Sequence, residues 1–127
     1  DRFPFATLVT ASPPGALHAS PLPFLLRPHE AGKPRLLAHL ARANPQAQAL
    51  EGAASVMAIF NGPHAYVSPG WYANHPSVPT WNYAVVHAHG PVRLLDEAEL
   101  HELLMEISAT YESPRQKTWR MGDLPAP

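Results

Sequence analysis

Val78-Pro79-Thr80-Trp81-Asn82-Tyr83 runs directly into Ala84-Val85-Val86-His87-Ala88-His89, and this stretch sets the β character of the chain. Pro79 fixes its own φ and pushes Val78 toward extended backbone, so the chain enters the segment from a defined direction. Residues 80–89 are rich in aromatic and β-branched side chains, with no glycine or proline before Gly90, and read as a buried strand. In such a strand Trp81 and Tyr83 share one face and Asn82 takes the other.

The preceding segments extend the β reading. Phe5 to Thr10 forms a first strand, closed by the turn Ser12-Pro13-Pro14-Gly15. Leu17 to Leu26 resumes in extended form, and Pro21 and Pro23 deny it two ladder donors, which places it at an edge or a bulge. After the polar turn Glu30-Ala31-Gly32-Lys33-Pro34, residues 35 to 40 suit either a strand or a helix by periodicity. Asn44 as N-cap and Pro45 as first helical residue start a new helix over 45–51, ended by Gly52, and so favour the strand. Ser55 to Phe60 is a compact strand ending at the turn signal Asn61-Gly62, and His64 to Ser68 is another, stopped by Pro69-Gly70.

Thr80 to Leu95 reads as one long strand or a pair bent at Gly90-Pro91. Asp96 then caps a helix over 97–111, with Glu99 placed to close a capping box. Leu100, Leu103, Leu104 and Ile107 give a stripe that reads as core packing. Ser113-Pro114 ends it, and Trp119-Arg120-Met121-Gly122-Asp123 leads toward a further helix start. The result is six or seven antiparallel strands with two helices, a mainly β chain with helices for which a small barrel is the expected closure.

Composition supports one domain. The 127 residues are 46% hydrophobic and 15% charged, which argues against disorder, while 16 prolines and 7 glycines argue against long uninterrupted helices. A net charge of -1, with no uninterrupted basic run, makes direct DNA binding doubtful. Zero cysteines exclude disulfides, thiolate ligands and cysteine nucleophiles. No apolar run approaches the roughly 20 residues of a membrane span and no signal-peptide pattern opens the chain, so a soluble cytoplasmic protein is the expectation. The start at Asp1-Arg2, directly ahead of a core strand and without methionine, reads as a fragment of a longer protein.

Several chemistries can be weighed from residue types. His87 and His89 would share a strand face, and His64 or His75 could supply a third ligand. No carboxylate is near in sequence, and hydrogen-bonded structural or pocket-lining histidines are the competing reading. No serine lies in a Gly-x-Ser-x-Gly elbow. Arg42, Asn44 and the donors at the helix starting at Pro45 could hold a phosphate, or Asn44 could simply cap the helix beside a solvated Arg42. Trp71, Tyr72, Trp81 and Tyr83 could line a flat apolar pocket, with Thr80 and Asn82 as directional polar groups, or could be an aromatic core. A planar heteroaromatic with a phosphate tail would suit the combination.

Phe5-Ala6-Thr7-Leu8-Val9-Thr10, Leu17-His18-Ala19-Ser20-Pro21-Leu22-Pro23, His39-Leu40-Ala41-Arg42-Ala43-Asn44-Pro45, Phe60-Asn61-Gly62-Pro63-His64-Ala65-Tyr66-Val67-Ser68-Pro69 and Val78-Pro79-Thr80-Trp81-Asn82-Tyr83 resemble, in order, the motifs of the PaiB-type family of FMN-binding negative transcriptional regulators. The resemblance covers nearly the whole chain. It implies an antiparallel, Greek-key-like FMN-binding split β-barrel related to flavin reductases and pyridoxamine-phosphate oxidases. It also implies a homodimer with FMN at the subunit interface and a role in repressing sporulation and protease genes. Carried over by residue, it places Thr7 and His18 near the cofactor, His39, Arg42 and Asn44 at its phosphate or ribityl end, and Trp81, Asn82 and Tyr83 by the ring.

Family members usually carry a helix before the first strand and further strands beyond Trp119-Arg120, and many have a longer loop at 71–77. The alternatives are an FMN-dependent oxidoreductase or flavin reductase, using a nicotinamide or another small-molecule substrate, and a haem- or metal-binding protein.

Overall fold

A computed structural model describes residues 3–28, 32–113 and 119. Arg2, the Glu30-Ala31 part of the polar turn, Pro114 and the stretch 120–123 lie outside the described residues. The elements, in order, are β1 (Phe5–Ser12), β2 (Ala16–Pro23), β3 (Leu25–Arg27), β4 (Arg35–Leu37), α1 (Pro45–Glu51), β5 (Val56–Val67), a 3₁₀ turn (Pro69–Trp71), β6 (Thr80–Gly90) and α2 (Glu97–Glu112).

β1 and β2 form the expected hairpin, with Thr7 opposite Pro21 and Thr10 opposite His18. Gly15 closes its turn, adopting φ +120° while its N–H donates to the Ser12 carbonyl at 2.7 Å. The main sheet is antiparallel in the order β2-β1-β5-β6. β2 lies at an edge, where its prolines need no ladder partner. The chain leaves this sheet after Pro23, and β3 pairs only with β4 in a separate two-stranded sheet.

The expected split barrel is therefore not what forms. Among the described residues the sheet is open, because β2 and β6 remain at opposite edges and four strands are too few to curl around an interior. The order also lacks the Greek-key arrangement, in which a fourth strand returns beside the first of three hairpin-linked strands. β6 is mostly exposed and not the buried strand that its apolar run suggests, because α1 packs over β1 and β2 at the other side of the sheet.

Alternation gives the sheet two unlike faces. Ala6, Leu8 and Thr10 point with Leu22, Ser20 and Ala58 to an inner face, and all six are buried. Leu50 of α1 and Phe24 complete this core; Phe24 meets Phe60 edge-on with ring centres 5.5 Å apart. Leu36, Ala38, Leu40, Val56, Ala88 and Val92 pack around it. The outer face carries Phe5, Thr7, Val9, Ile59, Asn61 and the odd-numbered residues of β6.

β5 is one strand where the sequence suggests two. Asn61 pairs with Val85 and His64 with Tyr83, so three steps on β5 match two on β6. Asn61-Gly62-Pro63 thus forms a bulge instead of a turn. Pro63 needs no donor there, and Gly62 lets the strands approach: a Cβ on it would lie 3.1 Å from the Ala84 carbonyl oxygen. β4 likewise ends at Leu37, short of residue 40.

Both helices start as their caps dictate. Asn44 caps α1, and Asp96 and Glu99 form a reciprocal capping box at α2. Leu103 is the buried centre of the α2 stripe, and Glu106 pairs with Arg27 of β3. Arg93 grips Glu99 through two 2.8 Å bonds. The Arg93 fork, then the Asp96 backbone N–H, hold the Glu99 carboxyl down to about 2.

A depressed carboxylate contributes stability above its unfolded pKa and loses it as pH falls through the folded one. The α2 cap should accordingly survive acidification through the ordinary glutamate range and release only toward about pH 2. A carboxylate NMR titration of Glu99 checks this; a midpoint near 4.5, the ordinary value, refutes it. The pair is exposed, so added salt should weaken it.

Among the described residues no helix is long and apolar enough to cross a membrane.

Candidate functional site

On the inner face, the start of α1 is fastened to the hairpin by two side chains, Gln46 and the cap residue Asn44. Gln46 is 1% exposed, and its Nε2 donates to the Leu8 carbonyl and Thr10 Oγ1, each at 3.0 Å, and to the His18 carbonyl at 3.4 Å. Asn44 accepts from the Gln46 N–H at 2.9 Å and donates to Ser20 Oγ at 3.1 Å. Its amide therefore has a structural task at the helix start. Arg42 is exposed just before it and has no ion-pair partner among the described residues. His39 is half-buried, with its Nδ1 buried and unpartnered. His18 lies at the hairpin with its Nε2 3.2 Å from Ser12 Oγ.

The outer face is built differently. Tyr66 stands opposite Trp81, and His64 opposite Tyr83, across the β5–β6 ladder. The His64 and Trp81 rings stack with centres 5.8 Å apart, and Trp81 Nε1 donates to His64 Nδ1 at 3.2 Å. The Tyr66 ring lies tilted against Trp81, with centres 6.1 Å apart. Trp81 is 53% and Tyr83 70% exposed, so these rings form a surface platform in a single chain and not an aromatic core.

The platform borders an open groove of about 400 Å³ lined by Asn61, Gly62, His64, Trp81, Tyr83, Ala84 and Val85. A second hollow of about 460 Å³, lined by Phe3 to Thr7, shares Asn61 with it.

The residues singled out from sequence fall into two groups. Arg42, Asn44 and His39 flank α1, which packs against the inner face; His18 points to that face from β2. Thr7, Trp81 and Tyr83 are on the outer face, and Thr7 lines the second hollow. Asn82 points away from Trp81 and Tyr83, as alternation requires, and is exposed. From β2 to β6 is three strand spacings, roughly 14 Å. One chain thus holds the two groups on opposite faces of its sheet.

The histidines do not converge. His87 and His89 have ring centres 6.5 Å apart, while His64 pairs four β6 residues away, roughly 13 Å along the strand. Among the described residues no group of three or more His, Asp or Glu could hold a metal ion.

Stacking surface with a few directional polar groups (Asn61, His64 Nε2 and the Tyr83 hydroxyl) suits a flat heteroaromatic ligand. The groove falls within the usual range of small-molecule sites, roughly 300–1,000 Å³. Sequence reasoning gave Gln46 and Asn61 no role here and weighed His64 only as a third metal ligand. Gln46 could have been suspected as a polar residue one turn from Leu50. His64 and Tyr66 alternate in the manner of Trp81 and Tyr83, but only the bulge reveals that all four share a face.

A family model described as "Putative FMN-binding domain" matches residues 1–127. The chain is 43% identical over 77 residues to "Protease synthase and sporulation protein PAI 2" of Bacillus subtilis, an alignment covering 61% of this chain and 37% of that protein. It is 33% identical to an uncharacterized protein of Saccharomyces cerevisiae, covering 76% of this chain and 61% of the other. An uncharacterized protein of Emericella nidulans is 32% identical, covering 86% and 58% respectively. The chain thus spans between about a third and three-fifths of the length of these relatives. With the family model matched over residues 1–127, the chain belongs to the "Putative FMN-binding domain" family, and it is itself similar to the Bacillus protein.

Proposed function

We propose that this protein binds FMN, with the ring system against Trp81 and Tyr83 in the outer groove, and that two copies share each site. The aromatic groove, left open by a single chain, carries the ligand reading. The placement of Arg42 and Asn44 on the other side of the sheet supports a shared site, since a second copy can bring its own Arg42 to the phosphate. Bound FMN supplies one- and two-electron redox chemistry, and the chain's residues orient the ring and tune it with nearby dipoles. Asn44, committed to its cap, positions the Arg42 turn.

A second reading, turnover as an FMN-dependent oxidoreductase, is favoured by the hollow beside Asn61, which leaves room for a nicotinamide or another small substrate next to the ring. The name of the Bacillus relative concerns protease synthesis and sporulation, and a negative regulatory role is part of the proposal. With a net charge of -1, such regulation would act through flavin occupancy more than through phosphate-backbone contacts of this segment.

Purified protein should show flavin absorption and release free FMN on denaturation. Arg42→Ala and Trp81→Leu should each weaken FMN binding about tenfold or more. Mixing the two variants should restore roughly a quarter of the tight sites, because half the dimers are then mixed and each has one intact composite site. No recovery on mixing refutes the shared site, and no FMN binding by the unmodified protein refutes the function.

A further inference from the structure

We infer that His64 is the hydrogen-bond donor that reads an acceptor on the edge of the planar ring bound in the outer groove, with its donor nitrogen set by Trp81. The inference rests on the FMN reading and adds to it a residue and a direction of hydrogen bonding.

The first support is the bulge. In an unbroken β5, Asn61 would face outward and His64 inward. The extra residue between them turns His64 and Tyr66 to the face that holds Trp81 and Tyr83. Gly62 is what permits this, since a side chain there would press on Ala84. The local irregularity thus delivers an imidazole to the groove, as bulges do when they re-aim a side chain.

The second support is chemical. Indole Nε1 can only donate, so its bond to His64 Nδ1 requires that nitrogen to be unprotonated. The single proton of the neutral imidazole must then sit on Nε2, which has no partner among the described residues. The stacked indole also fixes the plane of the imidazole. The groove therefore offers an oriented N–H donor beside a flat aromatic wall. A ring with carbonyl or imine acceptors on its edge meets that donor, whereas a ring presenting only N–H or C–H groups leaves it unsatisfied.

Trp81 acts here in two ways, as stacking surface and as the positioning residue for His64. Asn61, which also lines the groove, can both donate and accept and does not impose the same direction.

The test uses the full chain and two isosteric replacements. Glutamine keeps an amide donor near the place of Nε2, whereas asparagine reaches only the place of Nδ1. His64→Asn should weaken binding of FMN, followed by flavin fluorescence, about five- to tenfold. His64→Gln should stay within about threefold of the unmodified protein. Riboflavin, which lacks the phosphate, should show the same ratios, because the contact is to the ring.

Long-range ¹⁵N–¹H spectra of the ligand-free protein should show the Nε2–H form of His64. Equal losses in both variants, no loss in either, or a loss confined to FMN would each overturn the inference, as would an Nδ1–H tautomer. These outcomes require an unmodified protein that binds flavin. If it does not bind, the parent reading fails and this one fails with it, a result distinct from failure at His64 alone.

Discussion

Gln46→Ala should lower the unfolding free energy by about 3 kcal/mol. Gln46 is almost wholly buried, and its amide is the only side chain that bonds α1 to both strands of the β1–β2 hairpin through Leu8, Thr10 and His18 among the bonds described. Truncation removes those bonds, leaves the buried Thr10 hydroxyl short of a partner, and opens a cavity beside Leu50 and Leu8. The unfilled acceptor Oε1 already costs something in the native state, which keeps the figure from being larger. Gln46→Met, similar in volume but without the donor, separates the terms. It should recover the packing part and leave about 1–2 kcal/mol from hydrogen bonding. Urea denaturation measures both, and an alanine variant within about 0.5 kcal/mol of the original would falsify the role assigned to Gln46.

Gly62→Val should cost about 2–3 kcal/mol and disturb the outer groove in the same stroke. The φ of Gly62 is not in the left-handed region, since among the described glycines only Gly15 and Gly32 have positive φ. The penalty is therefore steric and not conformational. A Cβ would sit 3.1 Å from the Ala84 carbonyl oxygen and 3.2 Å from its Cβ, and the extra methyls of valine have even less space. Relief requires β5 and β6 to part at the bulge, which shifts the His64–Trp81 pair. Gly62→Ala should cost about 1 kcal/mol by the same reasoning. Thermal unfolding together with Trp emission tests this: a valine variant as stable as the original, with unchanged emission, would show that the close approach is immaterial.

Much of the fold was legible because local chemistry decided it. Asn44-Pro45 and the Asp96–Glu99 box each fixed a helix start by satisfying free backbone donors, and Pro21 with Pro23 narrowed their strand to an edge or a bulge, of which the edge is what forms. Closure was not legible. Counting strands does not tell which will pair, and β3 and β4 pair with each other instead of extending the main sheet. Asn61-Gly62 misled for a related reason: the same residues that permit a tight turn also permit a bulge, and only the partner strand distinguishes them.

The candidate site was legible in its parts. Trp81 and Tyr83 follow from alternation, and Arg42 with Asn44 from the helix start. Their placement on opposite sides of a sheet depends on strand order, which no local pattern carries.

β6 is the strand whose sequence first suggested the fold, and among the described residues it ends as the open edge of the sheet. Its eleven residues contain no lysine, no acid and no proline, the devices by which proteins usually discourage strand addition. Half of its backbone donors and acceptors therefore point outward, ready to zip onto any extended segment that reaches them, roughly 35 Å of template. The aromatic wall and this sticky border belong to one strand, so whatever pairs with the border also sets how the wall is presented.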